Sequence, residues 1–415
     1  MKPLQIFFII SILIASALSL SALSMQEAID KALQYSAKIQ SQKSYISAAT
    51  YNKYSTYANF LPVVGSTYMY SFNAPSLSPS YMLNDINLSA SLNLFRGFKD
   101  YLTTKESSQN LKRQNLLLHS AKADVVLNTR LAYIKILQSK ALLNTAQESV
   151  RLLGEQLKKA DSFYQQGLRA KNEVLTMQLQ LANANISLES AKMNLAYALN
   201  ELGNLLGESI TLEQVEEIQS VQLHEYQKQT LISQILARNP DYLITKSQVQ
   251  SAQIAFKTAK AQFLPQLDLT GVKHWYVDGM GAANSYYGLQ SQVRLNLTFN
   301  LFNGLRDSFV YQVKKHDVFA LTHNLTQYER NLSLQLDGLL RDYATAISQL
   351  RISQDSLDKA KENYKITNNR YLQNLSTYTE LINAQLLLTS MQTNINQARY
   401  NIVSIQSRIE RLANP

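Results

Sequence analysis

The side chains that most often carry out chemistry are few and scattered in this chain. Its five histidines show neither the HExxH pattern nor any metal-ligand spacing; they are His119, His224, His274, His316 and His323. The spacing of His316 and His323, one heptad apart, is typical of a shared solvated helix face. Cysteine, a Gly-rich phosphate loop and a GxSxG motif are all absent from the sequence. The sequence therefore predicts no enzyme, no metal site and no cofactor.

The charge balance is basic, with 40 Lys and Arg against 30 Asp and Glu and a formal net charge of +10. A basic balance raises the hypothesis of a nucleic-acid partner. However, the basic residues are spread along the chain rather than clustered with aromatic residues. Solvated helix faces explain them more simply, so we expect no nucleic-acid partner.

Two copies of one plan make up most of the chain. A heptad seam of apolar residues from Val174 to Leu202 recurs 207 residues later, from Leu381 to Ile409. A 3.5-residue apolar repeat of this length predicts helices that coil around neighbours in a left-handed sense. The same offset relates two other motifs, and an offset of 203 relates a third; the pairs are Leu94-Phe95-Arg96-Gly97 with Leu301-Phe302-Asn303-Gly304, Tyr164-Gln165-Gln166-Gly167 with Tyr371-Leu372-Gln373-Asn374, and Phe60-Leu61-Pro62 with Phe263-Leu264-Pro265.

The first residues have the pattern of a secretory signal peptide. Lys2 precedes an apolar run, and Ala22-Leu23-Ser24 supplies small residues for cleavage before Met25. The alternative is a signal anchor that stays in place, although no stop-transfer pattern follows. We predict a signal peptide at 1–24, a first repeat at 25–207, a linker at 208–226 and a second repeat at 227–415.

Four short segments have the pattern of strands with one apolar and one polar face. Apolar and polar residues alternate over 86–94 and 287–301, and 64–72 and 267–276 are weaker partners. This alternation is typical of transmembrane strands with one face toward lipid and one toward water. Aromatic residues at the strand ends predict a girdle at the membrane interface, unless they reflect ordinary strand propensity; they are Tyr68, Tyr70, Trp275, Tyr276, Tyr286 and Tyr287.

Between the strand pairs the sequence predicts helices, long ones at 98–165 and 305–372 and shorter ones at 26–59 and 227–262. Gly167 and Asn374, which accept a left-handed conformation, are expected to turn the chain after each long helix. Four strands cannot close a barrel, because the smallest has eight. Three copies of four strands would give 12. We therefore expect the chain to supply part of a transmembrane β-barrel, which further copies of the chain complete.

The whole chain after the predicted signal peptide resembles the TolC-like outer-membrane efflux protein family. The resemblance lies in the order and duplication of three motifs: Phe-Leu-Pro before each hairpin, Leu-Phe-x-Gly after it, and the Tyr-x-x-Gly turn followed by an acidic residue. It implies a homotrimeric outer-membrane channel that serves a tripartite efflux or type I secretion system. Its fold would be an all-α periplasmic coiled-coil barrel plus a transmembrane β-barrel with four strands from each protomer of the trimer. Its partners would be a periplasmic adaptor, an inner-membrane pump of the RND, ABC or MFS type, and outer-membrane lipid. A secreted coiled-coil structural protein is the alternative, but it would not explain four matched strands.

The resemblance also implies where the channel docks. The turns that follow the two long helices would form the periplasmic tip that meets the adaptor. The residues concerned are Gly167, Leu168, Asn374 and Leu375. The alternative is that Gly167 only ends a helix.

The gate that the resemblance implies departs from the family pattern in two places. Glu380 keeps the first of two acidic positions, whereas Asn383 replaces the second and Ser376 stands where the family has an arginine. Tyr371 and Glu173 match the family's tyrosine and its acidic partner, so we expect a hydrogen bond between them. The alternative is that Glu173 and Glu380 are acidic residues favoured by a helix dipole.

Overall fold

The computed structural model describes residues 23–413 apart from 75, 77–80, 219–220 and 277–290. Most of the predicted signal peptide and the predicted girdle residues Tyr286 and Tyr287 lie outside the described residues. The chain forms two compact units. The first contains Met1–Tyr35, Asn128–Leu223 and Thr345–Ser404, and the second contains Ser36–Leu127, His224–Ala344 and Ile405–Pro415.

The long helices agree closely with the prediction. Helix α3 is Lys99–Gln165 and α7 is Arg306–Leu372, each 67 residues long. Each is followed by a short turn and a 36-residue helix, α4 at Lys171–Leu206 and α8 at Tyr378–Ala413. The predicted seam lies on the buried face of these helices: Met177, Ala198 and Leu202 of α4, and Leu381 and Ile402 of α8, are almost completely buried. In the part of the chain that the structure describes, no helix is long and apolar enough to cross a membrane.

The second unit contains one antiparallel sheet in the order β1-β2-β3-β4. Its strands are β1 Val63–Asn73, β2 Tyr81–Arg96, β3 Gln266–Tyr276 and β4 Ser291–Thr298. All four predicted strands are present, but the prediction that β4 continues to residue 301 is wrong. The first residue of β3, Gln266, pairs with Thr298, and the preceding Pro265 has no N–H to extend the ladder.

Each predicted shorter helix is broken in two. Helices α1 Met25–Tyr35 and α2 Ala37–Tyr57 meet at Ser36, and α5 Lys228–Arg238 and α6 Pro240–Lys260 meet at Asn239. At both breaks a side-chain oxygen accepts a hydrogen bond from the backbone N–H three residues later, and so caps the second helix. The prediction of continuous helices is wrong because a polar residue that caps the following helix interrupts each one.

Candidate functional site

The two tip turns have the same backbone conformation. After α3, Gly167 has φ of 72°, and Leu168 N donates to Phe163 O at 2.9 Å. After α7, Asn374 has φ of 61°, and Leu375 N donates to Arg370 O at 2.8 Å. Both are Schellman endings, in which a left-handed residue lets the chain leave a helix while satisfying its last carbonyls. The predicted left-handed conformations at these two positions are confirmed.

Both turns present an apolar side chain to solvent. Leu168 is 54% exposed and Leu375 is 63% exposed. At Gly167 a Cβ atom would meet no atom within 4 Å, so space does not exclude a side chain there. The cost of a side chain at Gly167 is therefore conformational, because L residues rarely adopt a positive φ.

The hydrogen bond expected between Tyr371 and Glu173 is present. The Tyr371 hydroxyl donates to Glu173 Oε1 and joins α7 to α4. Both residues are buried: Tyr371 is completely buried, and Glu173 is 3% exposed. Tyr371 belongs to an apolar cluster with Ala160, Val174 and Leu381. Burial, together with the Glu173 carboxylate, raises the pKa of Tyr371 far above its ordinary value, so the phenol stays protonated and remains a donor.

Arg169 completes this group, and sequence reasoning missed it. Its guanidinium lies 5.1 Å from the centre of the Tyr371 ring, a cation–π distance. Arg169 Nη1 is 3.9 Å from Glu173 Oε2, and Nη2 donates to the Ser376 carbonyl at 3.2 Å. One signal could have found it: Arg169 and Ser376 are related by the same 207-residue offset as the seam. The cation beside Ser376 is therefore the guanidinium of Arg169, which belongs to the first copy.

The two positions that match the family's acidic pair lie on α8, and both are exposed. Glu380 forms a capping box with Thr377: Glu380 N donates to Thr377 Oγ1, and Thr377 N donates to Glu380 Oε2, both at 3.3 Å. The Ser376 hydroxyl also donates to Glu380. This bond, followed by that from Thr377 N, lowers the pKa of Glu380, so the side chain is charged at neutral pH. Asn383, one turn further along, is exposed and carries no charge.

In the sheet, large apolar side chains of β4 and aromatic ones of β1 and β3 are exposed. Leu295 is 62% exposed and pairs with Leu269, whereas its neighbour Asn296 pairs with Asp268. The predicted girdle residues Tyr68, Tyr70 and Trp275 are exposed, and Tyr276 ends β3. Among the described residues, no group of three or more His, Asp or Glu side chains could hold a metal ion.

Comparisons with known proteins agree with this architecture. The family of outer membrane efflux proteins matches residues 28–208 and 231–414. The outer membrane protein TolC of Escherichia coli is 22% identical over 345 residues, which are 79% of this chain and 69% of TolC. The toluene efflux pump outer membrane protein TtgF of Pseudomonas putida is 22% identical over 343 residues, covering 80% of this chain and 67% of TtgF.

Solved outer-membrane channels have the same fold. CusC has a TM-score of 0.83 at 17% identity, covering 94% of this chain and 92% of its own. VceC of Vibrio cholerae has a TM-score of 0.80 at 14% identity, covering 94% and 95%. The predicted fold class, long tunnel helices with four strands per protomer, is confirmed. Because the family match covers most of the chain, this protein belongs to the outer membrane efflux protein family and is an efflux channel protein of the outer membrane.

Proposed function

We propose that three copies of this chain form the exit duct of a tripartite efflux or type I secretion system. The duct carries out no chemical reaction. It receives cargo from an inner-membrane pump of the RND, ABC or MFS type, through an adaptor that meets the tip turns. The observation that carries the proposal is a second apolar seam on α4 that remains exposed in the single chain.

This second seam runs along the side of α4 away from the buried one. Leu179, Ile186 and Met193 lie seven residues apart, and each is 66% exposed; Leu175, 50% exposed, lies one turn before them. A helix with apolar seams on two sides packs against neighbours on both sides. Within one chain only the first seam is buried, so the second one needs another protein surface.

The second copy buries part of the corresponding surface. The residues of α8 that correspond to Leu175 and Met193 are Ile382 and Tyr400, and both are buried within the chain. At these two positions the chain itself covers the surface in the second copy and leaves it open in the first, whereas Leu386, which corresponds to Leu179, is 52% exposed. If the first copy of one protomer packs on the second copy of the next, every such seam is covered. That packing continues around a ring and closes it.

The unpaired edges of the sheet also support a ring of protomers. In its described part β1 and β4 are the edge strands, and an open sheet edge is not tolerated in hydrocarbon. Pairing β4 of one protomer with β1 of the next removes both edges. Two copies would give eight strands, whose interior is normally filled by side chains, and three give 12, which leaves room for a channel.

The tip of the duct is proposed to hold the gate. Glu380 of the three protomers would form a ring of carboxylates at the mouth, with Asn383 adding polar but uncharged groups. The bond between Tyr371 and Glu173, with Arg169 beside it, would hold α7 against α4 in the closed state. Gly167, Leu168, Asn374 and Leu375 would contact the adaptor, for which the two exposed leucines offer an apolar surface.

The assembly can be tested on the second seam of α4. We expect Ile186→Asp to reduce the yield of trimers in outer membranes strongly, because it places a charge in the contact between protomers. The neighbouring residue Asn185 is also exposed, so Asn185→Asp is the matched control and should assemble normally. Equal trimer yields for the two variants would contradict the proposed interface. Loss of folded protein of every size would instead indicate a role within the protomer.

A further inference from the structure

Leu23, inside the predicted signal peptide, is built into the folded protein. It forms a parallel β-bridge with Val215. Leu23 N donates to Gln214 O at 2.5 Å, and Glu216 N donates to Leu23 O at 3.3 Å. The side chains of Leu23 and Val215 are both buried, at 6% and 5% exposure. A residue that is removed during export would not be expected to fill a place in the folded core.

A buried tyrosine binds both sides of this bridge. The hydroxyl of Tyr133, on α3, lies 2.8 Å from Leu23 O and 2.7 Å from Glu216 O. Tyr133 is 1% exposed, and burial raises its pKa to about 12, so it keeps its proton as a donor. Leu23 is thus held by α3 as well as by the segment around Val215.

Ser24 has a separate role, at the start of α1. Glu27 N donates to Ser24 Oγ at 3.2 Å, and Ser24 N donates to Glu27 Oε2 at 2.8 Å, which together form a capping box. Ala28 N donates to Ser24 O at 3.0 Å. The backbone bond from Ser24 also lowers the pKa of Glu27, so that its carboxylate is charged as the box requires.

Cleavage between Ser24 and Met25 would remove the bridge and the cap together. It would also leave the new α-ammonium group on Met25, the first residue of α1. A positive charge at that end opposes the helix dipole. The fold therefore favours a mature chain that keeps both Leu23 and Ser24.

We propose that signal peptidase cleaves upstream of Leu23, so that the mature chain keeps both Leu23 and Ser24. The proposal depends on the predicted signal peptide but not on the proposed channel assembly. Small residues at the last and third-last positions before the cut define such a site, and three upstream triplets satisfy this rule as well as Ala22-Leu23-Ser24 does: Ala15-Ser16-Ala17, Ala17-Leu18-Ser19 and Ser19-Leu20-Ser21. Water would hydrolyse the peptide bond, leaving a carboxylate on the signal peptide and an ammonium group on the mature chain.

The test is to sequence the N-terminus of the full-length protein purified from outer membranes and to measure its intact mass. We expect the chain to begin at Leu23 or at a residue before it. A chain that begins at Ser24 or Met25, or an uncleaved chain, would overturn the proposal.

Two reciprocal variants distinguish a cut upstream of Leu23 from a cut after Ser24. Ala17→Leu, Ser19→Leu and Ser21→Leu together remove the last small residue from each upstream site and should abolish maturation. Ser24→Asp removes the small residue from the downstream site but keeps a side chain that caps helices well, so it should be cleaved upstream of Leu23 and should fold. Blocked maturation of Ser24→Asp together with normal maturation of the leucine variant would show that the cut follows Ser24.

Discussion

The change of Tyr371 to Phe tests whether one buried hydrogen bond holds the tip closed. It removes a single hydroxyl and leaves the ring in its apolar cluster. A hydrogen bond to a charged acceptor contributes about 1.5–3 kcal/mol. We expect the upper part of this range, because both partners are buried and Arg169, the charged neighbour that Glu173 would keep, is 3.9 Å away.

The expected effect on the channel follows from that energy. Since about 1.4 kcal/mol corresponds to a factor of ten in an equilibrium constant, a loss of about 2–3 kcal/mol should shift the closed-to-open equilibrium toward open by roughly 30- to 140-fold. The assay is the open probability of single trimers in planar bilayers, with the thermal stability of the trimer measured alongside. An open probability equal to that of the unmodified protein, in a stable trimer, would refute the reasoning.

Tyr364 offers a matched control one heptad earlier on α7. Its hydroxyl accepts a hydrogen bond from Gln156 Nε2 at 3.2 Å, so its partner is uncharged. Such a bond contributes about 0.5–1.5 kcal/mol, and Tyr364→Phe should therefore change opening much less than Tyr371→Phe. Glu173→Gln completes a double-mutant cycle with Tyr371→Phe, in which the two effects should be clearly non-additive because the residues are in contact.

Three further predictions concern other parts of the channel. Glu380→Gln should weaken block by trivalent cations, most clearly at low salt, because it removes the carboxylates of the proposed ring; unchanged block in current recordings would contradict that ring. Gly167→Val should abolish export and adaptor crosslinking, whereas Gly167→Asn should preserve both, since the second tip already uses Asn in this conformation. Leu295→Arg should reduce trimer yield through a cost of about 2–4 kcal/mol near the middle of the bilayer. Asn296→Arg, opposite Asp268, should assemble and alter only conductance, so equal yields would contradict the predicted strand faces.

The sequence predicted best those elements whose pattern extends over many residues. The long helices end at the predicted residues, Gln165 and Leu372, because Gly167 and Asn374 turn the chain just before each heptad seam begins. The breaks at Ser36 and Asn239 were missed because each depends on one capping side chain. Asn239 was the more predictable of the two, since Pro240 follows it and disfavours a helical conformation in the preceding residue.

The candidate site was predictable only where the resemblance supplied the partners. The expectation that Tyr371 meets Glu173, 198 residues away, came from matching each to the family, not from a local pattern. Arg169 was missed for a physical reason. Its guanidinium contacts the ring of Tyr371, which belongs to the other copy, so no local sequence pattern marks the contact.

The duplication explains how the tip keeps a cation after Ser376 has taken the place of the family's arginine. Arg169 occupies the corresponding position in the first copy, and it reaches across to the Ser376 carbonyl at 3.2 Å. The hydroxyl of the same serine donates a hydrogen bond to Glu380. Arg169 also lies beside Glu173. The buried carboxylate of Glu173 thus retains a nearby positive charge, which a buried anion requires. Glu380 stays charged and exposed on its own helix, so in the proposed trimer it adds one negative charge from each protomer to the mouth.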